Sequence, residues 1–237
     1  MEIPPMDAHA SSAPLKVGLM VPANNTTMEK ELTAWLPDGS RCVTLRIPRG
    51  AGLLTRETLP PYKASALELA ATFPGDIDVV AYGCTAAGFI AGPQGEAQLA
   101  GELAAITGKP VVTTARSMVA ALQAAGARHI ALVTPYSDEV NRNLGLFLAE
   151  GGIEARRVSS LAAADVEALG RITASEVATL ARSTMDDSCD ALFIACSQLP
   201  TYEILDSLQA ELGRPAWSSI KATAWRALQA VAQAARR

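Results

Sequence analysis

The chain has 237 residues, 49% of them hydrophobic and 19% charged, enough to bury a substantial core as one large domain or two small ones. A net charge of −4 with no basic patch or stripe argues against a nucleic-acid partner. No apolar run reaches the roughly 18 residues that a bilayer-spanning helix needs, so a membrane partner is not expected either.

The opening residues, MEIPPMDAHASSAP, lack both a basic start and an apolar h-region. Residues 1–14 therefore read as a flexible tail, and a cytoplasmic location is expected. There the four cysteines, Cys42, Cys84, Cys189 and Cys196, are expected to stay reduced. They show no C-x-x-C spacing, and the two histidines are His9 and His129, so no metal site is expected.

Short apolar runs of strand length follow in order: KVGLMV (16–21), CVTLRI (42–47), IDVVAYG (77–83) and KPVVTT (109–114). Four more come later: HIALVT (129–134), IEARRV (153–158), CDALFIA (189–195) and RPAWSS (214–219). Between them lie alanine- and leucine-rich segments of helical spacing, such as SALELAATF (65–73), SMVAALQAAG (117–126), SEVATLARSTM (175–185) and TAWRALQAVAQAA (223–235). Gly126 suits a helix C-terminal cap. Continuous apolar strands alternating with helices predict parallel sheets covered on both faces, an α/β fold.

The order repeats. KVGLMVPAN pairs with HIALVTPYS, IDVVAYGCT with CDALFIACS, and GKPVVTTARSMVAAL with GRPAWSSIKATAWRAL. The offsets are 113, 112 and 105 residues (17 to 130, 84 to 196, 108 to 213). An internal duplication explains this spacing and predicts two pseudo-symmetric lobes, residues 15–120 and 121–225. Residues 226–237 are then a helix end that packs back on the first lobe. In open parallel sheets ligands bind beyond the carboxyl ends of the strands. Cys84-Thr85 and Cys196-Ser197 both lie at such ends, so the two thiols are expected to face one inter-lobe cleft.

A thiol titrates close enough to neutrality to act as nucleophile, acid or base after modest tuning. One thiol on each side of a substrate allows proton transfer on two faces, or attack by one and protonation by the other. The competing reading is that strand-end cysteines simply pack; Cys42 and Cys189, at strand starts, fit that role. Asn24 or Asn25 in VPANNTTMEKEL (21–32) offers amide donors to a carboxylate, or else caps the following helix. Tyr136 in TPYSDEVN (134–141) points a hydroxyl into the cleft, or is an ordinary loop residue.

VGLMVPANNTTMEKE, YGCTAAGF, ALVTPYSDEVN and ACSQLPT together resemble the aspartate/glutamate racemase superfamily, and within it the maleate cis-trans isomerase and arylmalonate decarboxylase branch. The resemblance spans residues 16–226. It implies two lobes with the active site between them, no cofactor, a small carboxylate substrate, and a homodimer or larger homo-oligomer. Cys84 matches the attacking cysteine and Cys196 the acid/base cysteine, while Asn25 and Tyr136 match carboxylate-contacting residues. The backbone around Thr85, Ala86, Ser197 and Gln198 is expected to supply further donors.

Three positions depart from the maleate isomerase pattern. Val166, Ile220 and Lys221 stand at or near positions where asparagine is expected, which leaves the second carboxylate's contacts open and offers Lys221 as a replacement. The leading expectation is a maleate-type isomerase. A two-base cysteine racemase, a malonate-type decarboxylase and a non-catalytic carboxylate-binding protein stand as alternatives.

Overall fold

The computed structural model describes residues 13–49 and 52–236; residues 1–12 of the expected tail lie outside them. The first half runs β1 (Lys16–Pro22), α1 (Met28–Ala34), β2 (Arg41–Ile47), α2 (Leu59–Ala70), β3 (Val79–Tyr82), α3 (Thr85–Thr107), β4 (Val111–Thr113) and α4 (Thr114–Ala124). The second runs β5 (His129–Thr134), α5 (Asp138–Glu150), β6 (Glu154–Ser160), α6 (Val166–Arg171), α7 (Ala174–Thr184), β7 (Ala191–Ile194), α8 (Tyr202–Leu212), β8 (Ala216–Ser218) and α9 (Ser219–Ala234). Each predicted strand segment contains one strand. Among the described residues no helix is long and apolar enough to cross a membrane.

The strands form two parallel sheets, β2-β1-β3-β4 and β6-β5-β7-β8, so the two halves share one topology. The central strands β3 (VVAY) and β7 (ALFI) are buried at every position, as continuous apolar runs between helical layers should be. Edge strand β6 (EARRVSS) is mostly exposed, and its charges discourage pairing with another chain's edge.

The duplication reaches individual hydrogen bonds. At the amino end of the first sheet, Asp78 accepts from the Lys16 N–H at 2.7 Å. In the second, Asp190 accepts from the Arg128 and His129 N–H groups at 2.6 and 2.8 Å. At the carboxyl end, the Gly83 N–H donates to Met20 O at 2.7 Å and the Ala195 N–H to Val133 O at 2.8 Å. The helix after each last strand is capped alike: Thr113 Oγ1 accepts from Arg116 N and Ser218 Oγ from Lys221 N, both at 3.2 Å. A side-chain cap of this kind typically contributes about 1 kcal/mol.

Arg116 and Lys221 occupy matched positions, and both serve packing. Arg116 donates to the fully buried Glu96 through Nε (2.8 Å) and Nη2 (2.7 Å), and Thr113 Oγ1 donates to the same carboxylate. Lys221 runs between two indoles, its Nζ 4.8 Å from the Trp35 ring centroid and 5.6 Å from Trp217, and reaches Asp206 at 3.5 Å. Burial lowers its pKa, and Asp206 opposes that shift. The expectation that Lys221 contacts substrate is therefore corrected: it is held beneath tryptophans, where its stem is buried and its charge is paired.

Helix α9 packs on α4, on α1, and on β3 and β4 of the first sheet. Helix α3 bends at Gly92, whose φ of 71° and ψ of 168° require glycine, and Pro93 begins its second segment.

Candidate active site

The cleft forms where β3 and β7 end. Gly83 lies so close to β1 that a Cβ there would meet Met28 Sδ at 2.4 Å and Met20 O at 2.9 Å. Only glycine allows that approach, and the chain then leaves the sheet at Cys84. Cys84 is the N-cap residue of α3, with φ −111° and ψ 95°. The matching turn in the second half is tighter. Cys196 has φ 136°, a conformation that costs an L-residue of order 1–3 kcal/mol. Its N–H donates to Ser219 Oγ at 3.1 Å, and its Sγ accepts from the Gln198 N–H at 3.4 Å.

Both thiols line one cavity of ≈ 50 Å³. All the other residues expected from sequence line it too: Asn25, Thr85 and Ala86 from the first half, and Tyr136, Ser197 and Gln198 from the second. A larger hollow of ≈ 830 Å³ opens between α5 and β6, lined by groups such as His129, Arg142 and Glu154 but by no thiol. The smaller cavity holds the nucleophiles and is the candidate site.

Several of these polar groups join the halves. Asn25 Nδ2 donates to Ser197 O at 3.1 Å and to Ser197 Oγ at 3.2 Å. Its Oδ1 accepts from the N–H groups of Thr27 (3.1 Å) and Met28 (2.9 Å), at the start of α1. The side chain thus both caps a helix and braces the opposite lobe. Ser197 Oγ donates to Gly83 O at 2.6 Å, and Gln198 Nε2 donates to Thr26 Oγ1 at 3.0 Å. Thr85 Oγ1 donates to Ser219 Oγ at 3.2 Å, the same oxygen that receives the Cys196 N–H.

Burial raises both thiols above the ordinary range, and different neighbours modify the shift. Burial pushes the Cys84 thiol up; the Ala87 N–H, the Tyr62 hydroxyl, the Arg49 charge and the Ala86 N–H pull it back toward thiolate. Burial also pushes Cys196 up. The Gln198 N–H and the Tyr136 hydroxyl favour its thiolate, whereas negative charge on Cys84 opposes it. Tyr62 makes no hydrogen bond of ordinary geometry, yet lies near enough to Cys84 to stabilise its anion. Tyr136 packs edge-on against Phe89, ring centroids 5.5 Å apart, which fixes its ring across the lobe boundary.

Sequence reasoning missed Arg49, Leu53, Leu54, Val140 and Leu169, all of which line the cavity. Arg49 follows β2 by two residues, at a strand carboxyl end like the cysteines, but RIPRG carries no pattern that marks it. Val166 begins α6, yet Leu169, one turn later, faces the cavity. Neither Ile220, buried in α9, nor Lys221 lines it.

The family model for arylmalonate decarboxylase matches residues 61–237. The chain belongs to the arylmalonate decarboxylase family. The chain is 29% identical to a maleate isomerase of Nocardia farcinica over 91% of this chain and 90% of that one. It is 32% identical to an arylmalonate decarboxylase of Bordetella bronchiseptica over 61% of each. Among solved structures it is similar to a maleate isomerase of Pseudomonas putida S16 with maleate: TM-score 0.82, 26% identity, 93% of each chain covered. This member of the arylmalonate decarboxylase family thus shares its two-sheet architecture with maleate isomerases.

Proposed function

We propose that the protein is a cofactor-independent cis–trans isomerase of a small dicarboxylic acid, of maleate type. The observation that carries the reading is the convergence of Cys84 and Cys196, from equivalent strand ends, on one cavity. The Cys84 thiolate adds to one alkene carbon. The electron pair moves to the neighbouring carbon, where the adjacent carboxylate delocalises it, and the Cys196 thiol protonates that carbon. The former double bond is now single and rotates. The Cys196 thiolate then removes the proton, the double bond re-forms in the trans geometry, and the Cys84 thiolate leaves.

Each thiol suits its part. Cys84 has a cation and two N–H groups favouring its anion. Cys196 resists ionisation while Cys84 is charged, which keeps it an acid for the protonation step. N–H donors at the two strand ends stabilise charge on the carboxylate, and each such donor is typically worth about 3 kcal/mol in the transition state. Asn25 and Tyr136, with the backbone at Thr85, Ala86, Ser197 and Gln198, hold the substrate on this reading. The working unit is the pair of lobes, 15–120 and 121–225, with 226–237 folding back. The protein acts in the cytoplasm as a homodimer or larger homo-oligomer.

The test is conversion of maleate to fumarate followed by NMR. Turnover at millimolar maleate is the expected result, and none sinks the reading. A second reading, decarboxylation of a substituted malonate with Cys196 alone as proton donor, is favoured by the apolar residues Leu53, Leu54, Val140 and Leu169 in the cavity. Release of carbon dioxide that survives Cys84→Ala would select it.

A further inference from the structure

We propose that Arg49 is the anion anchor of this cavity and makes the site selective for substrates with two acidic groups. The inference deepens the isomerase reading and rests on it for the identity of the reacting end. Arg49 lines the cavity that holds both thiols and also the adjoining ≈ 260 Å³ hollow beneath α2. Its Nη2 donates to Gly52 O at 2.6 Å, which fixes the guanidinium. Its Nε is buried and finds no acceptor among the described residues.

A guanidinium carries only donors and stays charged, so a buried N–H without an acceptor is a place for a ligand oxygen. Arg46, three residues earlier, shows the contrast: it pairs with Glu29 at 3.2 Å and donates to Asn25 O at 2.6 Å. Four other side-chain donors around the cavity are engaged within the protein. Asn25 Nδ2 is on Ser197, Ser197 Oγ on Gly83 O, Gln198 Nε2 on Thr26 and Thr85 Oγ1 on Ser219.

The surroundings sharpen the argument. Leu53, Leu54, Val140 and Leu169 offer a carboxylate nothing to bind, and an anion set against them without Arg49 loses its hydration uncompensated. The polar contacts that Val166, Ile220 and Lys221 leave open are supplied from the opposite lobe, by the loop after β2. The site accordingly accepts a small dicarboxylate and discriminates against a monoacid of the same length.

Succinate, which has no double bond to react, and butanoate, which lacks its second carboxylate, separate binding from chemistry. Isothermal titration of the full chain is expected to give wild-type affinity for succinate about 10- to 100-fold above that for butanoate. Arg49→Met should bring the ratio to near unity through loss of succinate affinity alone, with Arg49→Lys in between. Wild-type protein without a preference for succinate overturns the proposal, as does a ratio unchanged in Arg49→Met. If Arg49→Met does not melt cooperatively, a full wild-type ratio in Arg49→Lys overturns it instead. Selective succinate binding without turnover of maleate sinks the isomerase reading and leaves Arg49 its role. Turnover with an unchanged KM for maleate in Arg49→Met does the reverse.

Discussion

Cys84 and Cys196 end equivalent strands in equivalent sheets, yet their surroundings are not copies of each other. Cys84 starts a long helix directly, in relaxed backbone, beside Arg49 and Tyr62. Cys196 turns through a φ of 136° into a loop that delays its helix until Tyr202, and its nearest aromatic hydroxyl is that of Tyr136. A duplicated fold delivers two thiols to one place. The loops grafted on each copy then give them different neighbours. On the proposed mechanism Cys84 attacks and Cys196 holds the proton until one is required, with Arg49 offsetting part of the burial that raises Cys84.

The sharpest way to break this division of labour is to delete each sulfur in turn. Cys84→Ala should reduce turnover by about 10³-fold or more, since no nucleophile remains. Cys196→Ser should lose nearly as much, but it should accumulate an adduct on Cys84. Intact-protein mass spectrometry then shows a gain of one substrate molecule, and Cys84→Ala shows none. Equal adduct on both variants would end the assignment.

A smaller effect sharpens the electrostatics. The rate of alkylation by iodoacetamide rises with pH as each thiol ionises. In Cys84→Ser the profile of Cys196 should move to lower pH, because the charge that opposes its ionisation is gone. In Arg49→Met the profile of Cys84 should move to higher pH. Site-resolved peptide mapping reads both shifts.

The smallest effect uses Cys42, outside the cleft, as the control for burial without function. Burial pushes its thiol up to about 11, against a hydrogen bond from Thr33. A folded-state pKa raised above the unfolded value means stability that is present below roughly pH 8.5 and lost as pH rises toward about 11. Thermal melts should show a shallower alkaline decline for Cys42→Ser than for the wild type.

The parallel α/β fold was legible because each central strand is a continuous apolar run and each occurs twice. The thiols were legible for the same reason: Cys84 and Cys196 repeat at one offset. Helix α3 was harder to see. Gly88, Gly92, Pro93 and Gly95 read as breakers, yet the chain absorbs them with one bend at Gly92 and a proline placed where a helix begins. Lys221 was offered as a replacement contact because it stands near a position where the resemblance expects asparagine; nothing local announces that Trp35 and Trp217 enclose it. Arg49 and Leu169 escaped because each stands at a site the duplication does not repeat, where tertiary packing alone aims the side chain.

The path of α9 has a consequence for how the chain is made. Its residues, 219–234, are synthesised well over a hundred residues after β3 and β4, yet they cover both strands. During translation the amino-terminal sheet therefore waits with an apolar flank bare, vulnerable to wrong partners and open to chaperones. A ribosome stalled before residue 219 would release a chain whose early strands are complete but whose cladding never arrives.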